Sequence, residues 1–116
     1  MGVPAGLARL VVKRRDGRLQ TLGEALEEEA KTETLSANSP VVEDIEKTIS
    51  DPGALQESAY QFFMLHRDVK VVILGYGELT GELVAQHIKD GTPLGLKHIE
   101  TYRKLLEHAL KVLRHG

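Results

Sequence analysis

Asp68–Gly81 reads DVKVVILGYGELTG, an almost unbroken apolar run, then two glycines around a tyrosine, then the opening of an amphipathic helix. Val69–Leu74 is apolar at every position except Lys70. A strand apolar on both faces is one that helices cover on both sides, so the run predicts a central buried strand at about 69–74. Gly75 and Gly77 then predict a tight exit from strand to helix, where the backbone needs positive φ or passes close to its neighbour. Such an exit aims backbone N–H groups and a positive helix end at one place. Gly75, Tyr76, Gly77 and Thr80 are therefore the candidate ligand-binding set. A nucleotide fits poorly: Gly81 falls one residue late for G-x-G-x-x-G, no second apolar strand follows, and Glu78 and Glu82 bring negative charge to the spot. No cofactor is expected.

The elements around this stretch announce themselves through capping chemistry. Ser39-Pro40 and Asp51-Pro52 each place a capping side chain before proline at the first helical position, opening helices that carry Val41, Val42, Ile45 and Ile49, then Leu55, Ala59, Phe62, Phe63 and Met64. Downstream, Leu79, Leu83, Val84, Ala85 and Ile88 mark a helix ended by Asp90-Gly91, and Thr92-Pro93 opens the last one.

Upstream, LARLVVKRRDGRLQTL reads as a hairpin about Asp16-Gly17, a dipeptide suited to two-residue turns, which would pair Arg14 with Leu19 and Val12 with Thr21. Thr21-Leu22-Gly23-Glu24 has capping-box spacing and predicts a short acidic helix over about 22–31. Residues 1–6 read as a disordered lead and 32–39 as a loop.

Charge is segregated along the chain. Residues 1–20 carry Arg9, Lys13, Arg14, Arg15 and Arg18 against Asp16, whereas residues 21–57 carry ten acids against Lys31 and Lys47. Arg14, Arg15 and Arg18, with the basic last helix, are the candidate nucleic-acid contacts. An acidic block in the same small chain points instead to basic and acidic segments facing each other. A helix-turn-helix comparison also fails, because the second helix would approach twenty residues and the connection holds both glycine and proline. Nucleic acid is not an expected partner.

The last helix, GLKHIETYRKLLEHALKVLRHG, places Ile99, Tyr102, Leu106, Ala109 and Leu113 at spacings of three and four, and Leu105, Leu110 and Val112 widen that stripe. Ile99, Tyr102, Leu106, Leu110 and Leu113 are thus candidate interface residues for a homodimer or another protein partner. No two of the five histidines stand three or four residues apart and no cysteine is present, so no metal site is predicted.

At 116 residues, with 41% hydrophobic and 28% charged residues, the chain reads as one globular domain spanning 1–116. The lack of cysteine, of a long apolar signal region and of any run near the roughly 20 apolar residues of a membrane span predicts a soluble cytoplasmic protein without membrane association. A single asparagine, Asn38, beside many Glu, Lys and Arg fits a heat-adapted source. The expected fold is α+β: an N-terminal hairpin and one central strand in a small mixed sheet, packed with four to five helices. The expected role is a non-catalytic binding or regulatory module acting as a homo-oligomer. Two alternatives are a small ligand-binding protein or enzyme with its pocket at the Gly75–Gly77 turn, and a nucleic-acid-binding regulator using the basic hairpin and last helix.

Overall fold

The computed structural model describes residues 4–31 and 39–115. The expected loop at 32–39, Ser39 excepted, and residues 1–3 of the expected disordered lead lie outside them. Ala5 and Gly6 are not part of such a lead, because they begin the short helix α1 (Ala5–Ala8).

The chain is an α+β protein with two separate two-stranded antiparallel sheets. After α1 come β1 (Val11–Lys13) and β2 (Leu19–Thr21), then helices α2 (Leu22–Lys31), α3 (Pro40–Ser50) and α4 (Pro52–Leu65). Strands β3 (Lys70–Ile73) and β4 (Gly77–Thr80) follow, and helices α5 (Gly81–Asp90) and α6 (Pro93–His115) complete the described chain. The predicted caps are in place. Ser39 Oγ accepts from Val42 N–H, Asp51 accepts from Gly53 and Ala54 N–H, and Thr21 and Glu24 exchange both bonds of a capping box.

The N-terminal hairpin is real but its register differs by one residue from expectation. Val11 pairs with Thr21, Val12 with Gln20 and Lys13 with Leu19. Gly17 N–H donates to the Arg14 carbonyl and Arg14 N–H to the Arg18 carbonyl, both at 2.8 Å, so the loop is Arg15-Asp16-Gly17. Only Gly17 takes positive φ, at 91°, as in a three-residue loop closed by a left-handed residue. The slip puts Arg14, Val12 and Gln20 on one face, where Arg14 Nη1 meets Gln20 Oε1 at 2.9 Å.

This first strand, not the 69–74 segment, is the one buried on both faces. Val11 and Val12 are fully enclosed, with α3 and α4 packed against the strand, and Val12 joins one core cluster with Leu22, Val41, Ile45, Leu55, Val84, Ile88 and Leu106. At its centre Tyr102 from α6 reaches β1, and its hydroxyl lies 2.5 Å from both the nitrogen and the carbonyl oxygen of Val11, accepting from one and donating to the other.

Burial pushes the Tyr102 phenol far above its ordinary value. A phenol ionises near pH 10 in the unfolded chain, so this group's contribution to stability is intact below about pH 10. Above that pH only the unfolded chain releases the proton, and stability falls by up to about 1.4 kcal/mol per pH unit. Tyr102→Phe is expected to be about 2 kcal/mol less stable at neutral pH, since two buried Val11 groups lose their partner. Urea titrations across the alkaline range should show the variant losing stability less steeply than wild type; equal slopes would refute a buried, un-ionised Tyr102.

Candidate functional site

The 69–74 segment is a correction to the sequence reading. Lys70–Ile73 forms a strand, but its partner is the segment read as turn and helix entry: Lys70 pairs with Thr80, Val71 with Leu79, Val72 with Glu78 and Ile73 with Gly77. Val71, Ile73 and Leu79 pack against the core. Val72 and Leu74 point the other way and are 80% and 99% exposed, with Val69 and Tyr76 more than half exposed as well. An apolar outer face mimics burial when only composition is read. The physical signature of a strand covered on both sides is therefore present in a strand whose outer face no described residue covers.

Gly75, Tyr76 and Gly77 stand at the tip of this hairpin. Tyr76 N–H donates to the Ile73 carbonyl at 2.9 Å, and Gly75, at the third position of that turn, has φ 90°, with Gly77 at 78°. The positive φ expected of both glycines is present. A β-carbon on either would meet no atom within 4 Å, so neither marks a close approach or a cradle. Tyr76 turns its ring edge to His87, 6.2 Å between centroids.

Thr80 sits apart from the tip, as the N-cap of α5, where its Oγ1 accepts from Leu83 N–H at 3.3 Å. Gly81 and Glu82 N–H donate to the Val69 and Arg67 carbonyls at 2.8 and 3.2 Å. The first three amides of α5 are thus all satisfied within the chain and leave no anion cradle. The four residues named as one ligand set are split between a solvent-facing tip and a helix cap.

The other candidate sets are also accounted for. Arg14 Nε lies 2.8 Å from Asp44, Arg15 Nη2 3.2 Å from Glu43 and Arg18 Nε 2.6 Å from Asp16. The basic hairpin faces the acidic segment within the chain, and Arg114 extends the pattern to Glu46 at 2.5 Å. The backbone N–H of Arg18, helped by its guanidinium, holds the Asp16 carboxyl below its ordinary range. Asp44 is fully buried, and its backbone carbonyl accepts from Thr48 Oγ1 at 2.8 Å while Thr48 Oγ1 in turn accepts from Lys13 N–H at 3.2 Å.

On α6, Tyr102 and Leu106 belong to the chain's own core, and Ile99, Leu110 and Leu113 pack against it. Tyr102 and Leu106 offer no surface to a partner. The width of the stripe is used internally, and Leu96 and Leu105 are what α6 leaves exposed.

His66 closes α4, its Nδ1 2.8 Å from the Phe62 carbonyl oxygen. His87 and His98 do not converge on a shared ligand: Nδ1 of the first is 2.8 Å from Thr92 Oγ1 and Nδ1 of the second 3.0 Å from the Leu94 oxygen. Among the described residues no group of three or more His, Asp or Glu could hold a metal ion, and no helix is long and apolar enough to cross a membrane.

The chain matches no protein-family model, no curated protein and no solved structure.

Proposed function

We propose that the protein is a non-catalytic binding module that self-associates through the outer face and free edge of the β3–β4 hairpin. The observation that carries this reading is the exposure of Val72 on β3 and of Leu74 where that strand enters its turn. An isolated two-stranded ribbon is marginal, and an uncovered edge invites another strand.

The second copy is favoured as that strand by the pairing geometry. Val69 and Ile73 carbonyls accept bonds from the β4 side, so by antiparallel alternation Lys70 and Val72 direct their N–H and C=O groups outward. A twofold axis at Val72 would pair it with its own copy and set each Lys70 opposite a Leu74, placing no like charges face to face. Lys70 keeps its contact with Glu78, at 3.7 Å, on the far side. The product is a four-stranded antiparallel sheet with Val72 and Leu74 as neighbours at its centre, each cross-strand pair worth about 0.2–1 kcal/mol.

Sedimentation velocity over a range of concentrations tests this. Wild type is expected to dimerise, and Val72→Lys with Leu74→Lys to be a folded monomer that melts as wild type does at dilutions where it has dissociated, since both side chains are exposed. A wild type that stays monomeric at high concentration, or a double variant that still dimerises, would overturn the reading.

A further inference from the structure

A cavity of about 320 Å³ lies at the base of the same hairpin, on its core side, between α1, the end of α4, β3 and the start of α5. That volume is at the lower end of small-molecule sites. Phe62, Phe63, Val69 and Val71 line it with His66 and Arg9, and among the described residues no acidic one shares the lining. One wall is fixed backbone: a β-carbon on Gly81 would fall 2.1 Å from the His66 carbonyl oxygen. The aromatic walls are fixed too, with Phe62 edge-on to Phe63 at 5.2 Å and 4.7 Å from the His66 ring, which the Phe62 carbonyl holds through Nδ1.

Arg9 gives the cavity its chemistry. Each of the other six arginines, Arg14, Arg15, Arg18, Arg67, Arg103 and Arg114, lies against a carboxylate. Arg9 has no such partner among the described residues. A guanidinium without a counter-ion at the margin of an apolar, aromatic-walled cavity is matched by a planar anion carrying an apolar body. We infer that this cavity binds a small aromatic monocarboxylate, its ring against Phe62, Phe63 and Val71 and its carboxylate on Arg9. A phosphate is a worse match, because a single guanidinium would face it and the first amides of α5 are already bonded to the Val69 and Arg67 carbonyls.

The test is titration of ¹⁵N-labelled protein with phenylacetate, followed by amide shifts, with phenylacetamide as the neutral isostere. Saturable shifts confined to the surroundings of Val69, Val71 and Gly81 are expected, with affinity at least about tenfold weaker for the amide and for Arg9→Gln, and partly retained in Arg9→Lys. Arg9 is exposed, so these variants should fold as wild type. Absence of saturable shifts, shifts centred elsewhere, or equal affinity for acid and amide would overturn the inference. The readout is independent of dimerisation, which can be followed in the same samples by sedimentation.

Discussion

Gly95→Ala is expected to destabilise the protein on the order of 3 kcal/mol, or to prevent folding, although it adds one methyl to a helix that alanine would otherwise favour. Gly95 lies in the first turn of α6 where that helix crosses the end of α5, and an added β-carbon would sit 2.0 Å from the His87 carbonyl oxygen and 2.8 Å from the Ile88 nitrogen. These are backbone atoms and cannot rotate away. The corner is also locked by its own bonds: Thr92 Oγ1 accepts from Gly95 N–H at 3.1 Å, and Thr92 N–H donates to the His87 carbonyl at 3.2 Å. Chemical denaturation reads the effect. A variant within about 0.5 kcal/mol of wild type would mean that the α5–α6 contact is looser than described.

Asp44→Ala is expected to cost about 3 kcal/mol or more, because it strands a largely buried cation rather than because the ion pair is strong. The carboxylate is fully buried and the Arg14 side chain is 11% exposed, with Arg14 Nε 2.8 Å and Arg15 Nε 3.3 Å from its two oxygens. Arg15 is half exposed and can turn to water; Arg14 would keep only Gln20 and the more distant Glu28, at 3.7 Å. Asp44→Leu combined with Arg14→Met should therefore recover much of the loss, since an apolar pair of similar volume leaves no charge to satisfy. A double variant as unstable as Asp44→Ala would indicate that packing around α3, and not the stranded guanidinium, sets the cost.

What the sequence made legible follows a physical division. The helix starts at Pro40, Pro52 and Pro93 and the end at Gly91 were readable, because caps, prolines and C-terminal glycines act within a few residues. The facing of Arg14 and Arg15 toward Glu43 and Asp44 was readable as charge segregation. Register was not: Asp16-Gly17 serves two- and three-residue loops alike, and the choice rests on the Arg14–Gln20–Glu28 contacts that follow from it. The 69–74 strand was found but misplaced, since burial was inferred from apolar composition alone and the pairing with Gly77–Thr80 was hidden by a β4 that holds Gly, Glu and Thr beside a single Leu. The cavity at Arg9 left no signal of its own, being assembled from residues as distant as 9, 62 and 81.

The Tyr102 hydroxyl bond to Val11 spans 91 residues of chain. Because the Val11 N–H and carbonyl find their partner in the Tyr102 hydroxyl, the first strand cannot complete its hydrogen bonding until residue 102 has been delivered. On the ribosome, the N-terminal hairpin would wait for that partner while every intervening helix is synthesised, its valines sheltered in the meantime by α3 and α4 alone. Closure is thus a late, long-range event with a correspondingly large loop entropy, and the order in which this protein is made runs opposite to the order in which its centre is sealed.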